Sequence, residues 1–119
     1  MQKFNFSYDK DNDDLFLANP KSKSKGSIEI GDIIFDYNNK KEFVGIQIIH
    51  ASNLIRDITE ENIQTIKQVL NGLKDCKVEA KVKRNLIIVK IVLISKLKEI
   101  SPVISIPSIR ESSPALAYA

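Results

Sequence analysis

The sequence predicts an α+β domain built mostly of antiparallel β-sheet. Short segments of alternating apolar and polar residues recur through residues 1–55 and 76–106, and turn residues bound each of them. Between these regions, residues 59–73 carry apolar side chains at helical spacing. We therefore expect one domain over residues 1–106, with an N-terminal β-meander, one amphipathic helix and a C-terminal three-stranded β segment.

The N-terminal half divides into five short strands. Phe4, Phe6 and Tyr8 alternate with polar residues, and the Asx-rich run 9–14 turns the chain into a second strand at 15–18. Three further strands are predicted at residues 27–30, 33–37 and 43–49. Their regular, short spacing is typical of an antiparallel meander.

The helix at 59–73 has its start signal in a capping residue. Either Thr59 or Asp57 can accept a hydrogen bond from the first turn, and two glutamates follow at the positive end of the helix dipole. One face of the helix is apolar: Ile63, Ile66, Val69, Leu70 and Leu73. The helix is expected to end near Gly72.

The second half is predicted to form three strands. Residues 76–84 alternate cleanly, whereas residues 86–95 are apolar on both faces except at Lys90, as in a central strand. The last strand is expected at 100–106. The tail, residues 107–119, contains prolines and serines and is expected to be mobile or docked, outside the core.

Composition restricts the function and the location. The chain has 119 residues, a net charge of +3 and a single cysteine, Cys76, which cannot form an internal disulfide. No apolar run approaches the roughly 18 residues of a membrane span, and the first residues lack the apolar segment of a signal peptide. We expect a cytoplasmic protein.

The acidic turn resembles the opening of a calcium loop but does not continue as one. Asp9, Asp11 and Asp13 have the right spacing. The position that needs glycine holds Asp14, and the position of the bidentate glutamate holds Pro20. A solvated hairpin turn without a metal is the prediction.

Catalytic signals are equally weak. His50 is the only histidine, and Cys76 begins a strand, where no helix N-terminus lowers the thiol pKa. The four glycines form no phosphate-binding loop. We expect no enzymatic activity, no metal and no cofactor.

A row of cations is the main candidate for polar recognition. Alternation places Lys77, Lys81 and Lys83 on one side of a strand, where successive residues of one face lie roughly 6–7 Å apart. With Arg84 and Lys90 they form a predicted polyanion-binding surface. Since no phenylalanine lies in this half, the base-stacking residues of a nucleic-acid platform are missing. A solvated sheet face, or a charged edge that blocks aggregation, explains the same residues.

The apolar strand suggests an interface. One face of residues 86–94 carries Ile87, Val89, Ile91 and Leu93. A single helix covers only one side of a sheet, so the other side needs cover from the meander, from the tail or from a second copy. We expect a homodimer that buries this face or pairs the edge strand near residues 100–106.

The first half also resembles a known family. The segments FSYDK (6–10), DDLFL (13–17), GDIIFDY (31–37) and VGIQIIHAS (44–52) follow the order and spacing of the prokaryotic family called domain of unknown function 2283. The resemblance covers about residues 4–55. Gln47 and His50 depart from it, since family members usually carry acids at both positions.

The resemblance implies a role but no site. The family has no established catalytic residues, and its members' gene neighbours imply an antitoxin-like role. The longer form resembles archaeal members. Two hypotheses follow: a protein-interaction module, antitoxin-like or a small subunit of a larger assembly, and an accessory protein of a nucleic-acid machine that binds RNA or DNA through the basic second half. Gene neighbourhood would discriminate between them.

Overall fold

Ten strands and two helices make up the computed structural model, which describes residues 1–107. In chain order they are β1 (Gln2–Lys3), β2 (Asn5–Asp9), β3 (Asp14–Ala18), β4 (Gly26–Ile30), β5 (Ile33–Tyr37), β6 (Phe43–Ile48), α1 (Ala51–Ile58), α2 (Ile63–Asn71), β7 (Leu73–Lys83), β8 (Leu86–Ser95), β9 (Glu99–Ile100) and β10 (Val103–Pro107). All strand pairs are antiparallel. The α+β class and the mainly antiparallel sheet are confirmed. The prediction for the tail concerns residues that, apart from Pro107, lie outside the described part.

Sheet I contains β2 to β6, but it is not the simple meander that the sequence predicts. Its strand order is β2-β3-β6-β5-β4, so β6 lies between β3 and β5. Ile48 of β6 is opposite both Leu15 and Ile33. The connection 19–25 carries the chain across the sheet because β6, the most buried of the five strands, takes the central position.

Sheet II contains β1, β7, β8, β9 and β10, in the order β1-β7-β8-β10 with β9 also paired to β8. The predicted first strand is divided between the two sheets at Phe4. Residues before Phe4 pair with β7, and residues after it pair with β3. The Phe4 side chain is buried, and its backbone N–H donates to the carbonyl of Cys76 at 2.9 Å. This residue therefore joins the sheets.

Two helices replace the single helix predicted at 59–73. The hydroxyl of Thr59 donates to the carbonyl of Ile55 at 2.6 Å, so this residue ends α1 instead of starting the next helix. The N-cap of α2 is Asn62, whose side-chain oxygen accepts from the Thr65 amide at 2.8 Å. Leu73 belongs to β7.

One continuous hydrophobic core joins both helices and the inner faces of both sheets. The inner face of β8 contributes Ile87, Val89, Ile91 and Leu93, all buried within the single chain. The interface predicted on these four residues is therefore corrected. Sheet I and the helices share the core with them, which corresponds to the intramolecular cover that was the alternative.

The burial of β8 predicts that a substitution on its inner face lowers the free energy of unfolding much more than one on the outer face of β10. Ile91→Ala removes fully buried methylenes and should lower the free energy of unfolding by about 2–5 kcal/mol. Val103→Ala, at a 45% exposed position of β10, should change it by no more than about 0.5 kcal/mol. Urea unfolding measures both. Equal effects would contradict the assignment of the inner face.

Candidate functional site

The candidate site is the hairpin of β7 and β8. The strands pair from Leu73 opposite Ser95 to Lys83 opposite Leu86, and Arg84-Asn85 forms the turn. β1 reaches only Lys77 and Val78. Within residues 1–107, the final part of β7, residues 79–83, therefore has β8 on one side and no strand on the other.

The outer face of the hairpin gathers the predicted cations. Because alternate side chains share a face, the register places Lys77, Lys81 and Lys83 on the same side as Lys90. Arg84 lies in the turn and is exposed. Sequence reasoning missed Lys3, which β1 places beside Lys77, because the two positions are 74 residues apart.

Few acids compensate this charge. Glu79 forms an ion pair with Lys81 at 3.5 Å and lies opposite Lys90, and Asp75 lies 3.7 Å from Lys3. In the described part of the chain, Lys83 and Lys90 form no ion pair. On β1 and the hairpin, five lysines of this face thus stand against two acids, and the face is a cationic surface.

Apolar side chains interrupt the lysines. Leu86 is 46% exposed, and Val103 on the neighbouring strand is similarly open to solvent. Ile88 between them is half-buried. The outer face is therefore a mixed basic and apolar surface.

The inner side of the hairpin tip forms a cleft with the loop before β6. The cleft has a volume of about 370 Å³. It is lined by Gln2, Phe4, Lys40, Lys41, Glu42, Phe43, Val78, Ala80, Val82 and Ile87. Val82 is 74% exposed although its partner across the hairpin, Ile87, is buried. The tip therefore extends past the core and leaves apolar side chains in solvent.

The exposure of Ala80 and Val82 is a feature that sequence reasoning missed. Alternation places them on the face opposite the lysines, which is the case, but it does not indicate that the core ends at Val78. The available signal was strand length, because the strands predicted at 76–84 and 86–95 are longer than the one predicted at 100–106.

The acidic turn has a structural role at the start of α1. Asp13 adopts a left-handed conformation, with φ of 57°. Its carboxylate accepts two contacts of 3.1 Å from the Ser52 amide and one of 2.7 Å from the Ser52 hydroxyl. The Tyr8 hydroxyl donates to the same carboxylate at 2.5 Å. His50 is the formal N-cap and makes no side-chain cap, so Asp13 replaces it from a distant part of the chain.

The surroundings of Asp13 explain the titration of its neighbours. Burial, then the hydrogen bond to Asp13 and the nearby carboxylates, raise the pKa of the Tyr8 phenol above its usual value. The side-chain amide of Asn12 donates to Asp9 at 2.8 Å and lowers the pKa of that carboxyl. No cluster of ligands suited to a metal ion occurs within residues 1–107.

The residues considered for catalysis are placed unfavourably. Cys76 is fully buried, and burial followed by the charge of Asp75 raises the pKa of its thiol to about 12. Such a thiol is almost entirely protonated at neutral pH and is a poor nucleophile. His50 is exposed, and its Nδ1 lies 3.5 Å from Asp32 Oδ2.

The structure thus defines a small α+β protein with two antiparallel sheets and a projecting basic hairpin. None of the helices in the described residues is long and apolar enough to cross a membrane.

Comparison with known proteins identifies the family. Residues 5–52 match the model of the protein of unknown function DUF2283. The uncharacterized protein MJ0789 of Methanocaldococcus jannaschii is 30% identical over 100 residues, which cover 82% of this chain and 80% of that protein. No solved structure matches. The chain belongs to the DUF2283 family, as the resemblance indicated.

The family match and the hairpin occupy different parts of the fold. Residues 5–52 comprise sheet I and the first two residues of α1, including Tyr8, Asp13 and Ser52. An alignment of 100 residues is too long for that region, so the similarity to the archaeal protein extends into the second half.

The cap formed by Asp13 predicts a measurable loss of stability. Asparagine tolerates the same left-handed backbone but lacks the charge that strengthens the bonds to Ser52. Asp13→Asn should lower the free energy of unfolding by about 1–2 kcal/mol at neutral pH. Asp11→Asn is the control, since the Asp11 side chain is exposed and makes no hydrogen bond in the described residues. Similar stability of the two variants in urea would contradict the capping role.

Proposed function

We propose that the protein is a non-enzymatic interaction module of the cytoplasm, antitoxin-like or a small subunit of a larger assembly, that binds a protein through the β7–β8 hairpin. The observation that carries this proposal is the exposed tip of the hairpin. Val82, on the cleft side, is 74% exposed, the largest exposed fraction among the large apolar residues of residues 1–107, and Leu86, on the lysine face, is 46% exposed. Exposed apolar groups among charges are typical of a binding surface.

The proposal of a binding role is also supported by the chemistry of the other candidates. The buried, protonated thiol of Cys76 is unsuited to nucleophilic attack, and a free thiol fits a reducing compartment. Asp13 has its carboxylate committed to Ser52 and Tyr8.

The second candidate function is an accessory role in a nucleic-acid machine. It is favoured by the placement of Lys77, Lys81, Lys83 and Lys90 on one face. A protein partner is preferred because exposed aliphatic groups accompany these lysines and no aromatic side chain of residues 1–107 lies on that face for base stacking.

A capture experiment tests the protein-binding role. The full chain is immobilised and exposed to nuclease-treated extract of the source cell, and bound proteins are quantified by mass spectrometry. One protein should be retained by the wild type and by Lys67→Glu, an exposed lysine of α2, but at least tenfold less by Lys83→Glu. Equal capture by all three would contradict the proposal.

Fluorescence anisotropy with a labelled 20-nucleotide RNA and a DNA duplex tests the alternative. Binding that weakens steeply between about 50 and 200 mM salt and is lost in Lys83→Glu would favour the nucleic-acid role instead.

We further propose that the chain forms a homodimer by pairing β10 across a two-fold axis. β10 is a margin of sheet II, and the Ile91 amide donates to the Pro102 carbonyl at 2.9 Å. Alternation from that bond directs the backbone groups of Ser105 away from β8, toward the side where, within residues 1–107, no strand pairs with β10. Pairing of such edges is a common route to dimers.

Sedimentation velocity at micromolar concentration tests this dimer. The wild type should sediment as a dimer of the 13.4 kDa chain, whereas Ser105→Pro, which removes an outward N–H, should sediment as a monomer. A monomeric wild type, or a dimeric Ser105→Pro variant, would contradict edge pairing.

A further inference from the structure

The open edge of β7 presents backbone groups in a defined direction. Phe4 donates its N–H to the carbonyl of Cys76, so the backbone groups of Cys76 point away from β8. In an antiparallel strand every second residue repeats that direction. The N–H and C=O groups of Ala80 and Val82 therefore point to the side where, within residues 1–107, no strand pairs with them.

The side chains around this edge differ between the two faces. Ala80 and Val82 project to the cleft side, next to Phe4 and Phe43. Lys81 and Lys83 project to the outer face. A strand added here would place its own residues alternately on the same two faces.

We propose that this edge binds an extended segment of a partner protein in which apolar and acidic residues alternate. The segment would continue sheet II along the line of β1 and antiparallel to β7. Its backbone would pair with Ala80 and Val82, its apolar side chains would enter the cleft, and its carboxylates would meet Lys81 and Lys83. This inference rests on the proposed protein-binding role and specifies its mode, which is strand addition.

The positive charge beside the edge favours an acidic partner strand over a second copy of this chain. Residues 79–83 contain two lysines and one glutamate, and Lys77 and Lys90 lie on the same face. A second copy of this edge would add two more lysines, whereas an acidic strand offsets the positive charge that is already present. The same lysines would reject basic or neutral strands, which fits a selective edge.

The test uses the full chain and a defined peptide. A fluorescein-labelled nonapeptide of alternating valine and glutamate, with valine at both ends, is titrated and followed by anisotropy. We expect saturable binding. A peptide of the same composition with its valines and glutamates in two blocks, and one with lysine in place of glutamate, should bind at least tenfold more weakly. Equal binding of the three peptides would overturn the inference.

Two proline variants locate the binding edge. Val82→Pro removes an N–H that points to the open edge of β7 and should weaken binding at least tenfold. Ser105→Pro removes an outward N–H from β10, at the opposite margin of the sheet; it breaks the proposed dimer but leaves the β7 edge of each protomer intact, so peptide binding per protomer should stay within twofold. Weakening by Ser105→Pro but not by Val82→Pro would overturn the assignment.

A measurement on the unmodified chain guards against an effect of proline on folding. Peptide binding should slow hydrogen exchange of the Ala80 and Val82 amides by at least tenfold, as seen by NMR, and leave the Ser105 amide unchanged. Unaltered exchange at Ala80 and Val82 in the saturated complex would overturn strand addition.

The capture experiment separates this inference from the function on which it rests. If the cellular partner is lost with Lys83→Glu but retained by Val82→Pro, protein binding through the lysine face stands and strand addition fails. If neither substitution affects capture, both the protein-binding role of the hairpin and strand addition fail.

Discussion

The central position of β8 constrains the whole structure. This strand hydrogen-bonds on both sides and is apolar on both faces, so each face needs cover. The helices and sheet I supply it for the inner face, where Val89 and Ile91 are fully buried in the common core. Each of these elements has one apolar face, and all of those faces point into that core. Within residues 1–107, the outer face of β8 is thus covered mainly by side chains of its neighbouring strands.

Lysine is a suitable neighbour for such a face. Its aliphatic stem covers apolar surface while the ammonium group stays in water. Val92 on the outer face is 7% exposed although it is not part of the common core, and half-buried Lys77 lies directly opposite. The same arrangement keeps the charged ammonium groups in water above a partly apolar face.

Local patterns predicted the strands better than they predicted the connections between them. The alternation of residues 76–84 reflects a face that touches the core and a face that does not, and the structure has both. The position of β6 between β3 and β5 could not be predicted from sequence, because pairing of distant strands depends on burial in the assembled sheet. Similarly, Phe4 continues the alternation of Phe6 and Tyr8, and nothing local shows that the chain changes sheets there.

In the candidate site, too, local patterns were predicted and long-range contacts were not. Alternation was sufficient to place Lys77, Lys81 and Lys83 on one face, and the register places Lys90, which was predicted with them, on that face too. The faces of β8 were distinguished correctly, but which of them is covered depends on elements that pack from elsewhere. Thr59 was one of two residues predicted to start a helix, the other being Asp57. A threonine hydroxyl can accept a hydrogen bond from an amide at the start of a helix, but it can also donate one to a carbonyl at the end of a helix. Only the contact with Ile55 shows that it closes the preceding helix.

The bond between Asp13 and Ser52 has a consequence for the order of folding. An isolated helix of eight residues is marginal in water, and α1 receives its N-terminal hydrogen bonds from a turn 39 residues earlier in the chain. The β2–β3 hairpin therefore has to form and reach the end of β6 before α1 gains this stabilisation. Closing so long a loop costs conformational entropy in advance of any gain. We infer that α1 is consolidated late, after sheet I, and that its formation reports the completion of that sheet.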